Sequence, residues 1–121
     1  MTARVQNTAP DPDVTTGVQH LFKAIYAGGV PQQTLELVHL RASQINGCSF
    51  CDGAERAALA LTEAATLLAD RPGAVTDEIW AEAAKHYDER QLRALVLMAG
   101  ISNFSNRINT TLRVPPGTPY N

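Results

Sequence analysis

The chain has 121 residues, 45% of them apolar, with 12 acidic against 10 basic residues and a formal net charge of −2. That length suits one domain with a single hydrophobic core, and without a stripe of Lys or Arg no nucleic-acid partner is expected. No apolar stretch approaches the ~20 residues of a membrane helix, and the start MTARVQNTAPDPDVTTG lacks the apolar core of a secretory signal, so the expected setting is cytoplasmic, with no membrane partner.

Residues 1–13 are polar and carry Pro-Asp and Asp-Pro steps, which predicts an extended N-terminal arm; a single domain is expected over 14–121. From Val14, the apolar residues Val18, Leu21, Phe22 and Ile25 follow helical spacing until Gly28-Gly29. Pro31 suits the first turn of a second helix bearing Leu35, Val38 and Leu40, which Asn46-Gly47 stops. A third helix is predicted from the cysteines through AERAALALTEAATLLAD, ended by Pro72-Gly73. Thr76 before Asp77 and Glu78 reads as the cap of a short fourth helix. Asp88 with Gln91 reads as a capping box opening a long last helix that runs to Val114-Pro115-Pro116. No useful run of β-alternation occurs, so the fold class is all-α.

The two cysteines, Cys48 and Cys51, stand three residues apart directly after Asn46-Gly47, in the predicted first turn of the third helix. That spacing puts two thiols on one face. The unpaired N–H groups and partial positive charge of a helix start favour thiolate. Such a pair suits attack on a peroxide followed by disulfide closure. Two other readings stand beside it. A structural zinc site needs about four ligands, but no second cysteine pair exists, and His20, His39 and His86 show no ligand spacing to the CxxC. Alternatively, both cysteines are small buried hydrophobes.

Glu36 lies twelve residues before Cys48, on the helix leading into the cysteines, where a carboxylate could relay a proton or simply be solvated. His39, three residues on, can share its face or be an exposed helix histidine. Asn103, Asn106 and Asn109 recur every three residues beside Arg107, either bridging a helix or subunit interface or lining a wet surface.

The run ELVHLRASQINGCSFC, Glu36 to Cys51, resembles the signature of the carboxymuconolactone decarboxylase-like superfamily in its alkyl hydroperoxidase D (AhpD)-like branch. The stretches Glu55 to Gly100 and Asn103 to Gly117 resemble the same family, so the likeness covers nearly the whole chain after the arm. It implies an AhpD-like helical fold built on a helix hairpin, assembled with itself as trimers or multiples of trimers. It also implies a redox dithiol that reduces hydroperoxides through a sulfenic acid and an intramolecular disulfide, recycled by a thiol reductant, without metal or other cofactor. By this resemblance Cys51 is the attacking thiolate, Cys48 the proton donor and resolving partner, and Glu36 the start of a proton relay. The helix-terminus argument alone nominates Cys48 for attack; the resemblance decides for Cys51.

One departure is large. The family places a histidine four residues after the second cysteine, where this chain has Glu55, and CDG runs almost directly into AERAALAL. An intervening helical segment is expected to be deleted, and with it the relay histidine. AhpD itself also tends to carry a histidine between the cysteines, where Phe50 stands here. A carboxylate near a thiol opposes its ionisation unless a proton passes between them, so slow or absent peroxidase activity is expected. The alternative is a weakly active or inactive scaffold serving oligomerisation or interaction. A lactone decarboxylase is a weaker alternative, because decarboxylase branches do not depend on this CxxC.

Overall fold

The computed structural model describes residues 3, 4, 6, 11–43, 53–69 and 71–115. Within them the chain forms α1 (Pro12–Tyr26), α2 (Gln32–Ser43), α3 (Gly53–Thr66), a 3-10 turn (Leu67–Ala69), α4 (Asp77–His86) and α5 (Glu89–Leu112), with no strand among the described residues. α1 begins ahead of the expected Val14, because Pro12 supplies a preset φ at the first helical position, where no N–H is needed. The carbonyl of Pro31 accepts from Leu35 N–H at 3.1 Å and so opens α2. α3 ends at Thr66 and tightens into the 3-10 turn, short of the predicted Asp70.

The long helix α5 is the spine. Its N-terminus carries the expected capping box: Gln91 N–H donates to Asp88 Oδ1 at 2.8 Å, and Asp88 N–H donates to Gln91 Oε1 at 2.9 Å. Thr76 caps α4 through Ile79 N–H at 3.2 Å. At the far end Arg113 takes a left-handed φ of 55° and stops α5. The buried face of α5, Leu92, Leu95, Met98, Ala99 and Ile101, packs against Ile25 of α1, Leu35 and Val38 of α2, and Ala58 and Leu61 of α3.

The turn between α1 and α2 needs both glycines. Gly29 has φ of +84°, and a Cβ on Gly28 would lie 2.5 Å from the Ala94 Cβ. Arg90 binds the Ala27 carbonyl there, and Gln91 Nε2 donates to the Gly29 carbonyl at 2.8 Å. At the other end of α2, Asn106 Nδ2 donates to the Ala42 carbonyl at 3.3 Å. α2 therefore runs in the same sense as α5. So does α3: Tyr87 at the start of α5 donates to the Ala54 carbonyl at 2.9 Å, while Asn103 Nδ2 donates to Thr66 Oγ1 at 3.2 Å. α2 ends at one end of the spine and α3 begins at the other. Residues 44–52, which join them, lie outside the described residues, and the two cysteines with them.

Candidate functional site

Glu36 and His39 sit one turn apart on α2 and line one cleft of about 430 Å³, with Leu40 of the same helix, Phe22 and Tyr26 of α1, and Met98 of α5. The cleft forms because Leu35 and Val38 turn inward, each fully buried, and so hold the next positions at the surface. Phe22 and Tyr26 stack with ring centroids 6.2 Å apart and wall the opposite side. Glu36 Oε1 accepts from Gln32 Nε2 at 3.2 Å, a bond along the helix that keeps the carboxylate at the cleft.

His39 does more than face the same way as Glu36. Its Nδ1 lies 2.7 Å from Ser102 Oγ, and Ser102 is completely buried on α5. Ser102 in turn donates to the Met98 carbonyl at 2.7 Å. Sequence spacing offered no signal for this pair, since a serine inside a helix reads as neutral and the partners are far apart in the chain.

Asn103 and Asn106 lie on a helix–helix interface within the chain, bridging α5 to α3 and α2, and the described geometry thereby selects between the alternatives left open for them. Arg41 forms an ion pair with Glu63 at 2.7 Å, tying the end of α2 to α3. At the first turn of α3, the ring of His86 lies against Gly53, where a Cβ would sit 3.6 Å from its Cε1. Glu82 approaches His86 Nε2 at 3.6 Å and binds Lys85 at 2.9 Å. The hydrogen bond and positive charge of Lys85 lower the pKa of Glu82 below its ordinary 4.5, with His86 adding to the same direction. Of the expected site residues, then, Glu36 is set in a cleft beside an anchored imidazole, whereas Cys48 and Cys51 lie outside the described residues.

A second cleft, of about 480 Å³, opens between α4 and α5, lined by Trp80, Leu92, Val96 and Leu97, with the Glu89–Arg93 ion pair at its edge. Among the described residues no group of three or more His, Cys, Asp or Glu side chains could hold a metal ion, and no helix is long and apolar enough to cross a membrane.

Residues 12–66, which span α1, α2, the cysteines and α3, match the model of the carboxymuconolactone decarboxylase family. That match covers 55 of the chain's 121 residues. The fold is AhpD-like. It superposes with a TM-score of 0.78 on a protein of unknown function from Agrobacterium tumefaciens, provisionally described as the antioxidant defence protein AhpD, covering 94% of this chain and 97% of that one at 22% identity. The uncharacterized protein YdfG of Bacillus subtilis (strain 168) is 28% identical over 142 residues, covering 93% of this chain and 95% of YdfG. That aligned span exceeds the 121 residues here, so YdfG holds residues for which this chain has no counterpart.

Proposed function

We propose that the protein is a dithiol peroxidase of the AhpD-like type, in which Cys51 attacks a hydroperoxide, Cys48 resolves the product and Glu36 relays protons. The observation that carries this reading is the placement of Glu36: the helix that leads into the CxxC holds it at an open cleft beside an anchored imidazole. In the first step the Cys51 thiol loses its proton, and the thiolate electron pair attacks one peroxide oxygen. The O–O bond breaks, and the departing alkoxide regains a proton, giving a sulfenic acid and an alcohol. The Cys48 thiol then attacks the sulfenic sulfur, forming the disulfide and releasing water. A thiol reductant restores the dithiol by exchange. The apolar walls supplied by Phe22, Tyr26, Leu40 and Met98 suit the carbon chain of an organic hydroperoxide.

Intact mass and free-thiol count on freshly reduced protein test this reading. After stoichiometric hydroperoxide, both thiols should disappear while the mass falls by two hydrogens, and Glu36→Gln should slow that loss by ~10²-fold or more. Two thiols that persist in the folded protein rule it out.

The cleft at Trp80, Val96 and Leu97 favours a second reading, a scaffold whose first role is self-assembly, with trimers or multiples of trimers as the expected form. These three side chains are each more than two-fifths exposed on neighbouring turns of α4 and α5, an apolar face of the kind a second copy would cover. Under this reading both cysteines can be replaced by Ser without loss of the oligomer, and aggregation of that variant would count against it.

A further inference from the structure

The cleft between α1 and α2 is negative in character. Glu36 is the only carboxylate among its lining residues, and neither Lys nor Arg lines it. The Gln32 amide that donates to Glu36 Oε1 at 3.2 Å brings no charge, and among the described residues no cation pairs with this carboxylate. Opposite stand Phe22 and Tyr26, stacked with ring planes 23° apart. Tyr26 is 47% exposed, so much of its ring is open to a ligand. An aromatic face carries negative quadrupole charge and attracts cations. Leu40 and the buried Met98 add aliphatic surface. A volume of about 430 Å³ lies toward the small end of ligand cavities and suits one ring with a short chain.

We infer that this cleft binds a small organic cation, its ammonium nitrogen set between Glu36 and Tyr26 and its apolar body laid against Phe22, Leu40 and Met98. A carboxylate and a ring face attract the same sign of charge, so an anion of the same shape is selected against. The inference concerns binding and does not depend on the dithiol reading. Where that reading holds, the cation takes the space of the hydroperoxide's carbon chain and ties up the Glu36 carboxylate. It is then a competitive inhibitor rather than a substrate.

Three probes that share a phenyl ring test this on the full chain: phenethylammonium, phenethyl alcohol and phenylacetate, titrated into ¹⁵N-labelled protein. Amide shifts at Tyr26, Glu36 and Leu40 should saturate about fivefold more tightly with the ammonium than with the alcohol, and the carboxylate should bind least. Glu36→Gln, at an exposed helix position, keeps the shape and removes the charge, and it should bring the ammonium down to the affinity of the alcohol. Equal affinities in the wild type, a cation preference that survives Glu36→Gln, shifts that map to Trp80 and Leu97 instead, or no shifts at all each overturn the site. In a working peroxidase, phenethylammonium should raise KM for an organic hydroperoxide and leave kcat unchanged; unaltered KM overturns the competition. Glu36-dependent cation binding in a protein that ignores hydroperoxide would support the site and refute the peroxidase reading alone.

Discussion

Tyr87 donates its phenolic hydrogen to the carbonyl of Ala54 across 2.9 Å, and so links the residue before α5 to the first turn of α3, two residues beyond the CxxC. Tyr87 is 7% exposed, so the ring also fills the core beside Ala83 and Ala58. Tyr87→Phe keeps the ring and removes the bond. It should cost about 1 kcal/mol in chemical denaturation, with faster amide exchange in the first turn of α3 than in α5. Equal exchange in wild type and variant would show that this link does not hold α3.

Gly28 is where the chain leaving α1 comes against α5. Its absent Cβ would meet Ala94 Cβ at 2.5 Å and the Ile25 carbonyl at 3.1 Å. Ala94 belongs to a helix that cannot shift without disturbing Leu92 and Leu95. Gly28→Ala should therefore destabilise by about 1–3 kcal/mol. The compensating double variant Gly28→Ala with Ala94→Gly should recover part of that loss, less the cost of a glycine inside a helix.

Asp88 and Gln91 bond reciprocally at the head of the longest helix. Asp88→Ala should lower stability by about 1 kcal/mol, while Asp88→Ser and Asp88→Asn should stay within a few tenths of the wild type. If all three lose the same amount, the charge rather than the cap is what matters there.

Glu82 offers a test of pH dependence. Its pKa is lowered by the hydrogen bond and charge of Lys85, so the folded state binds a proton less readily than the unfolded chain. The stability it contributes is present above its ordinary pKa of 4.5 and is lost as pH falls through the lower folded value. Both side chains are exposed, so the effect is small and screened by salt. Glu82→Gln should flatten the acid limb of the stability curve slightly at low ionic strength, and the difference should vanish in 1 M salt. A difference that survives high salt would mean that Glu82 acts through packing.

Leu97 tests self-assembly. If a second copy covers the Trp80–Val96–Leu97 face, Leu97→Glu should reduce the mass seen by light scattering while leaving helix content unchanged. An identical mass would place the contact elsewhere.

Much of this fold was legible because its signals are local. Asp88 and Gln91, Thr76, and Gly28-Gly29 each act within a turn or two, and the structure uses each of them as read. Helix ends were less legible, since Pro12 extends α1 forward and Thr66 shortens α3. At the site, Glu36 could be nominated through the family resemblance of its stretch, but what stands behind it could not. The His39–Ser102 bond joins residues from α2 and α5, and no periodicity encodes which serine a distant histidine meets. The common direction of α2, α3 and α5 was equally hidden, because it depends on single polar contacts such as Asn103 to Thr66 and Asn106 to Ala42.

Those asparagine contacts also have a bearing on how the chain tolerates change. Apolar helix faces can slide past one another by a turn, about 5.4 Å, and still find greasy neighbours. An amide that bonds one particular carbonyl and another that bonds one particular hydroxyl admit a single setting. Asn103 and Asn106 thus act like index marks on a ruler, fixing how far along α5 each of the other two helices is set. The marks hold Glu36 and the head of α3 at defined stations on the same helix, whatever the length of chain that joins α2 to α3.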